Sequence, residues 1–175
     1  MLDLFSYEIT NESSKMKKLI LALVVGSLAS SSNATGPYTI EDEKSIECLA
    51  LNIYFETHAS SLADAMAVSD VVLNRVNHSK YPNTICGVVH DGYEVGKRTC
   101  QFSWYCDGKS DVPSNSDSWE KSRKYARDFY IHGEYIGITE GATHYHATYV
   151  KPYWAPTLDR ITQIGSHIFY RIKGK

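Results

Sequence analysis

A single carboxylate, Glu56, stands where the pattern of an amphipathic helix ends. The apolar residues Ile46, Leu49, Ala50 and Ile53 recur at the i, i+3, i+4, i+7 spacing of a helix with one buried face. Glu56 follows Ile53 by three positions, so we expect it to lie beside the buried stripe. Burial penalises the charged form of a carboxylate and raises its pKa, which suits a general acid working near neutral pH. The alternative at a helix end is a cap or an ion pair.

The elements that must position this acid are predicted to be mainly helices. Apolar periodicity and capping signals place them over roughly residues 40–55, 62–77 and 117–133. The second begins after Ser61, with Asp64 at the capping-box position. It is apolar nearly all round, so we expect it to be the central buried helix.

The rest of the chain is predicted to be loops and a small sheet. Residues 85–90 form a short apolar run that is helical or extended, and a long loop with many aromatic residues spans 91–115. Gly165-Ser166 separates two runs of strand-forming residues, which is a two-residue hairpin signal. The predicted fold class is therefore α+β, mostly helical, with a small β-sheet or hairpin.

Length and composition limit the function classes. The 175 residues suffice for one domain with a substantial core. A formal net charge of -2 argues against a broadly basic nucleic-acid-binding protein, so no nucleic-acid partner is expected. The 13 tyrosines against 5 phenylalanines suit a groove for a polar ligand such as a sugar, although tyrosine is also common in exposed sheets and loops.

The N-terminus has the pattern of a signal peptide. Lys17 and Lys18 precede a short apolar run over 19–25 and then small polar residues. The run is too short for a stable membrane span. We predict an N-terminal extension and signal peptide over 1–34 with the start at Met16, then a single catalytic domain over 35–175. Export to the periplasm, the extracellular space or the cell wall follows from this prediction.

Export also changes how the cysteines are interpreted. Cys48, Cys86, Cys100 and Cys106 are even in number, which in an oxidising compartment predicts two disulfides. Four cysteines allow three pairings. We favour a bond from Cys86 to Cys100 or Cys106, which would pin the loop between them. A structural zinc site is the weaker alternative because no Cys-x-x-Cys pair is present.

Three blocks of the sequence combine polar and aromatic residues. They are Asn52-Ile53-Tyr54-Phe55-Glu56 with the following helix to Leu73-Asn74-Arg75, Cys100-Gln101-Phe102-Ser103-Trp104, and Gly141-Ala142-Thr143-His144-Tyr145-His146-Ala147. In this order they resemble the cell wall hydrolase family that includes the SleB-type spore cortex-lytic enzymes. The resemblance covers most of the chain from about Ile46 to Trp154.

The resemblance implies a lysozyme-like fold and cleavage of peptidoglycan glycan strands, with Glu56 as the catalytic acid. It also implies a set of substrate-binding residues, which we take to be Tyr54, Gln101, Ser103, Trp104, Tyr145 and His146. Trp104 can equally be a core residue beneath its loop. The family pattern Ala-Arg-Gly-Glu after the acid is here Thr57-His58-Ala59-Ser60. An arginine and a second carboxylate of the family are therefore absent, which predicts altered substrate binding.

One acid without a nearby second carboxylate favours a particular reaction. Glycoside hydrolysis normally uses two carboxylates. A lytic transglycosylase needs one, which protonates the glycosidic oxygen and then accepts the proton of the C6 hydroxyl of N-acetylmuramic acid, giving a 1,6-anhydro end. Asp64, Asp107 or Glu140 can still reach the site through folding. We predict this transglycosylase reaction with no cofactor and no metal, and no oligomeric state can be read from the sequence.

Two alternatives remain. His144 and His146 would project to one face of a strand, with Tyr145 on the other, and two histidines can bind zinc in an amidase that cuts the peptide from muramic acid. The altered segment 57–60 instead fits a non-catalytic peptidoglycan-binding protein. Asn74 and Arg75 are predicted to brace the end of their helix rather than to contact substrate.

Overall fold

The computed structural model of this chain describes residues 38–94, 96–97 and 99–174. The predicted N-terminal extension and signal peptide, residues 1–34, lie outside the described residues. The described residues belong to one compact unit over 36–175. Within them, no helix is both long enough and apolar enough to cross a membrane.

Helices make up most of the regular secondary structure of the described chain. They are α1 (Ile40–Thr57), α2 (Leu62–Val76), α3 (Ile85–Val89) and α4 (Ser116–His132). The three predicted helices are confirmed with small shifts at their ends, and the undecided run over 85–90 is helical.

The helices begin and end where the capping residues dictate. The Thr39 side chain accepts a hydrogen bond from the Asp42 backbone, and Asp42 bonds back to Thr39 in a full capping box. The Ser61 side chain accepts from the Asp64 backbone at the start of α2, as predicted. Gly133 ends α4 with φ 64, the left-handed conformation that glycine adopts without steric cost.

Helix α2 is the centre of the core, as its apolar sequence predicts. Every residue from Asp64 to Val72 is buried. Helices α1, α3 and α4 pack around it, and burying this apolar surface is the main stabilising term of the fold. The largest fully buried apolar side chains include Leu49, Ile53, Met66, Val68, Val72, Val88 and Val89.

A small antiparallel sheet packs against the other side of α2. Its strands are β1 (His144–Ala147), β2 (Asp159–Ile164) and β3 (His167–Arg171), in the order β1-β3-β2. The β2–β3 pair is the predicted hairpin. Tyr145 of β1 lies opposite Phe169 of β3, and Phe169 is fully buried against Ala67 and Val71. The sheet face that carries Tyr145 is therefore the face directed at α2.

Two disulfides are present, as predicted, but the favoured pairing is wrong. Cys48 of α1 bonds to Cys86 of α3, and Cys100 bonds to Cys106. Among the three possible pairings, the preference rested on the loop between Cys86 and Cys106. Because α3 packs on α1, Cys86 meets a cysteine much earlier in the chain, and the two later cysteines close their own short loop.

The hairpin turn fits against α2 with no room for a side chain at Gly165. Its φ is 52, and a Cβ there would lie 2.2 Å from Asp64 Oδ1. We expect Gly165→Ala to lower the free energy of unfolding by about 2 kcal/mol or more, because strain and a steric clash add. Urea denaturation measures the change. Gly108→Ala is the matched control, since Gly108 has φ 83 but nothing within 4 Å of the added Cβ. An equal loss in both variants would contradict the steric argument.

Candidate active site

Glu56 lies in the last turn of α1 and its carboxylate is held by a tyrosine from the sheet. The Tyr145 hydroxyl donates a hydrogen bond of 2.9 Å to Glu56 Oε2. Burial raises the pKa of Glu56, while the Tyr145 hydrogen bond and the nearby Arg75 charge offset part of that rise. The raised pKa agrees with the expectation for a carboxylate beside the buried stripe, and it keeps more of this group protonated near neutral pH.

Tyr145 is fixed as a hydrogen-bond donor. Burial, followed by the negative charge of Glu56, holds the pKa of Tyr145 well above its usual value. The phenol therefore stays protonated over the neutral range and donates to Oε2. Glu56 Oε1 is then the oxygen left to carry the acidic proton.

Arg75, at the end of α2, bonds to the residue before β1 and acts on Glu56 through its charge. Its Nε donates 2.8 Å to the Thr143 carbonyl, and its guanidinium lies 5.3 Å from the Tyr81 ring centre and 5.0 Å from that of Phe102. Its charge favours the ionised form of Glu56. Arg75 was predicted to brace the end of its own helix. In the structure it instead holds the segment before β1, and its charge acts on Glu56, which the sequence did not indicate.

Two more residues of α2 hold the loop that leads into β1. The buried Asp70 carboxylate accepts 2.7 Å from the Gly137 backbone, 2.9 Å from the Thr139 backbone and 2.5 Å from the Thr139 hydroxyl. Asn74 Nδ2 donates 3.1 Å to Thr139 Oγ1 and 3.0 Å to the Ala142 carbonyl. Helix α2 therefore sets the position from which Tyr145 reaches Glu56.

A cleft of about 350 Å³ opens beside Glu56. This volume lies within the range of about 300–1,000 Å³ that is usual for ligand sites. One wall comes from the end of α1 and the other from the long loop before α4. Its lining residues are Phe55, Glu56, His58, Ser103, Trp104, Asp107, Lys109, Ser110 and Asp111.

Three of the predicted substrate-binding residues lie at this site. Tyr145 bonds Glu56, and Ser103 lines the cleft. Trp104 combines both predicted alternatives, because it lines the cleft and is also only 7% exposed. Its ring stacks on Phe55 at 4.7 Å between ring centres, and its Nε1 donates 3.2 Å to Asn52 Oδ1.

The other three predicted residues are placed elsewhere. Tyr54 is 4% exposed, and its hydroxyl accepts from the Ser114 and Asn115 backbones at 3.1 and 3.0 Å, so it braces the start of α4. Gln101 is exposed and is not among the cleft-lining residues of the described chain. His146 occupies the sheet face opposite Tyr145, since successive strand residues alternate. These positions do not bring the three side chains to Glu56.

The histidines of β1 pack around Trp154. The ring centre of Trp154 lies 5.4 Å from that of His144 and 5.7 Å from that of His146. His146 Nε2 is 2.9 Å from the Tyr170 hydroxyl, and its Nδ1 is 2.9 Å from the Ala147 carbonyl. Among the described residues, no three His, Cys, Asp or Glu side chains are grouped so that they could hold a metal ion.

Folding brings further carboxylates to the cleft, from the long loop. Asp107, named above as a possible second acid, and Asp111 both line it. Burial, then the charge of Asp107, raises the pKa of Asp111, against a smaller effect of His90. The unusual length of the 91–115 loop was the sequence feature that indicated this wall. An irregular loop has no periodicity, so the sequence did not show that Asp111 would face the cleft.

The altered segment after the acid forms a tight break between α1 and α2. His58 and Ala59 both have φ 49, in the left-handed region. The Thr57 hydroxyl accepts 3.1 Å from the Ala59 backbone and donates 2.8 Å to the Ile53 carbonyl. A glycine at the Ala59 position, as in the family pattern, adopts this conformation without strain, and His58 stands at the cleft where the family has an arginine.

Comparisons with known proteins show what the chain as a whole is similar to. A family model described as Cell Wall Hydrolase matches residues 59–170. The catalytic domain of the germination-specific lytic transglycosylase SleB from Bacillus anthracis is 28% identical, with 78% of this chain and 98% of that chain covered at a TM-score of 0.58.

The catalytic domain of the SleB protein from Bacillus cereus is 22% identical, with 78% and 100% covered and a TM-score of 0.53. At that identity the likeness concerns the fold. These likenesses confirm the expected mostly helical, lysozyme-like α+β architecture. No curated protein matches the sequence.

Proposed function

This chain belongs to the cell wall hydrolase family, and we propose that it cleaves peptidoglycan glycan strands as a lytic transglycosylase with Glu56 as the catalytic acid. The observation that carries the proposal is the Glu56 carboxyl, raised in pKa by burial and oriented by Tyr145 at the edge of a cleft. The 28% identical SleB catalytic domain, named as a lytic transglycosylase, supports the same reaction.

The reaction uses one carboxyl group twice. Protonated Glu56 gives its proton to the glycosidic oxygen between N-acetylmuramic acid and N-acetylglucosamine as the C1–O bond breaks. The resulting carboxylate then accepts the proton of the muramic acid C6 hydroxyl, and that oxygen bonds to C1. The products are a 1,6-anhydro-muramic acid end and a free N-acetylglucosamine hydroxyl, and no water is consumed.

The surrounding residues support each stage. Burial favours the neutral acid before bond cleavage, and the Tyr145 hydrogen bond with the Arg75 charge stabilises the carboxylate that forms. We propose that Ser103, which lines the cleft, donates a hydrogen bond to a sugar there, and that the part of Trp104 that lines the cleft contacts a sugar ring. We infer that the substrate enters between the end of α1 and the 103–111 loop.

Export to the periplasm, extracellular space or cell wall belongs to the same proposal. Two disulfides hold the described domain, and disulfides persist in oxidising compartments. The substrate of the proposed reaction lies in those compartments. The domain boundary at about residue 35 and the Met16 start remain predictions.

The test is digestion of purified peptidoglycan followed by mass spectrometry of the released fragments. Anhydro ends are the expected result. Reducing ends would indicate a hydrolase, and free peptides would indicate the amidase. An EDTA titration checks the amidase further, because loss of activity that zinc restores is expected of it alone. Binding to sacculi with no released fragment would identify a non-catalytic binding protein.

A specific observation favours hydrolysis as the second candidate. Asp107 and Asp111 line the same cleft as Glu56, and an inverting hydrolase uses a second carboxylate to activate water. Such an enzyme would leave reducing ends. A hydrolase therefore needs one of these two carboxylates as a base, whereas the transglycosylase needs neither.

Replacing Asp111 with Asn tests a hydrolase that uses this carboxylate as its general base. If Glu56 acts alone, we expect Asp111→Asn to change the rate of fragment release by less than about tenfold, with anhydro ends retained, because no proton passes through Asp111. Loss of the general base of a hydrolase would lower the rate of fragment release roughly 10²-fold or more. The matched control is Asp117→Asn on the exposed first turn of α4. A 10²-fold loss confined to Asp111→Asn would contradict single-acid chemistry.

A further inference from the structure

The hairpin turn is fastened to the first turn of α2 by one buried carboxylate. Asp64 Oδ1 accepts 3.1 Å from the Ser166 backbone and lies 3.4 Å from His167 Nδ1, and Oδ2 accepts 2.7 Å from the Ser61 hydroxyl. Burial alone would raise the pKa of Asp64, but the hydrogen bonds from Ser61, Ser166 and His167 together hold it below its usual value. Asp64 is therefore an ionised acceptor at neutral pH.

His167 lies between Asp64 and the tyrosine of the active site and contacts both. It is 8% exposed, and its ring meets the Tyr145 ring edge to face, with centres 5.2 Å apart and planes at 84°. Phe169 lies against another part of the same tyrosine ring, 5.6 Å between centres. Asp64 fixes the plane of the imidazole, and the imidazole with Phe169 limits rotation of Tyr145.

We propose that His167 and Asp64 are positioning residues of the active site, which hold the Tyr145 ring so that its hydroxyl bonds Glu56. The proposal rests on the function proposed above, since it assigns a role in the same reaction. Neither residue lines the cleft, so they act through Tyr145 and not on substrate. The hairpin then has two roles, because it forms part of the sheet and also positions Tyr145.

The consequence for catalysis has a definite sign. Glu56 must be protonated to act as the acid, so activity falls as pH rises through its pKa. The Tyr145 hydrogen bond lowers that pKa, and Tyr145 that is free to rotate would lose it. The other charged or titratable groups near Glu56 are Arg75 from α2 and His58, Asp107, Lys109 and Asp111 of the cleft, and none of them is changed in these variants. Loosening Tyr145 should therefore move the alkaline limb of the rate profile to higher pH.

The experiment measures pH–rate profiles of fragment release by the full exported chain and its variants. We expect His167→Ala to lower kcat on the order of tenfold with KM within about twofold, and to shift the alkaline limb upward. Tyr145→Phe should shift it in the same direction. The double variant should be no slower than the slower single variant within about twofold, because both changes remove one interaction.

Two further variants keep the test independent of folding. Asp64→Asn preserves side-chain size and should shift the limb in the same direction by less. Gln163→Ala, at an exposed position of the same hairpin, should leave the profile unchanged. The proposal is overturned if the alkaline limb of the pH–rate profile is unchanged in both His167→Ala and Asp64→Asn. It is also overturned if the losses in kcat of the two single variants multiply in the double variant. If the wild-type chain releases no fragments, the proposed function itself fails, which is a distinguishable result.

Discussion

Replacing Glu56 with Gln is expected to reduce release of peptidoglycan fragments by about 10³-fold or more, because the amide cannot give or accept the proton. The amide oxygen still accepts the hydrogen bond that Tyr145 donates, so the geometry of the site is kept. Mass spectrometry of the digest measures the loss. Retained activity would show that another group supplies the proton.

The same substitution should leave the fold intact, and the pH dependence gives a control. The pKa of Glu56 is raised on folding, so the folded chain binds its proton more tightly than the unfolded chain does. Stability from this group is therefore full at low pH and is lost as pH rises through the folded pKa. At pH values above that point, we expect Glu56→Gln to unfold at the same or a higher temperature than the wild type. A clear drop would attribute the lost activity to misfolding.

Replacing Asp70 with Ala is expected to have the largest effect on stability. The change leaves the Gly137 and Thr139 backbone N–H groups and the Thr139 hydroxyl without their buried acceptor. Thr139 is fully buried, and each of its two unsatisfied groups costs about 1–3 kcal/mol, so the free energy of unfolding should fall by about 3 kcal/mol or more. Activity should fall as well, since this loop leads into β1 and Tyr145.

Urea denaturation with both disulfides intact measures that loss. Asp128→Ala is the matched control, because Asp128 pairs with Lys124 on the exposed side of α4. A surface pair of this kind contributes about 1 kcal/mol or less. Similar losses in the two variants would show that Asp70 is not an anchor of the loop.

The sequence predicted correctly those features that depend on a single helix or hairpin. The period of the apolar residues located α1 and α2, Ser61 and Gly133 marked helix ends, and Gly165-Ser166 marked the hairpin. The same period placed Glu56 beside the core, and the residue is partly buried in the structure. These features depend on neighbours within a few residues.

Features that depend on contacts between distant elements were predicted less well. Cys86 pairs with Cys48 because α3 packs on α1, which no spacing between cysteines reveals. Tyr54 belongs to a motif beside the acid, yet its hydroxyl is taken up by the backbone before α4. Strand alternation correctly separated Tyr145 from the histidines but could not say which face meets Glu56.

The cleft itself is the clearest case. Its second wall is an irregular loop, whose side chains follow no period that could be read from the sequence. Asp111 reaches the cleft together with Asp107 through this loop, and His167 reaches Tyr145 through the register of β1 with β3. Register and loop path are tertiary properties, so the positions of Asp111 and His167 could be found only in the fold.

The central claim is that Glu56 cleaves the glycan strand without water. Digestion of purified peptidoglycan in water labelled with heavy oxygen, by the wild type and by Glu56→Gln, tests it most directly. We predict that the wild type releases 1,6-anhydro-muramic acid ends that carry no heavy oxygen, and that Glu56→Gln releases almost none. Reducing ends that contain heavy oxygen, or undiminished release by Glu56→Gln, would contradict the claim.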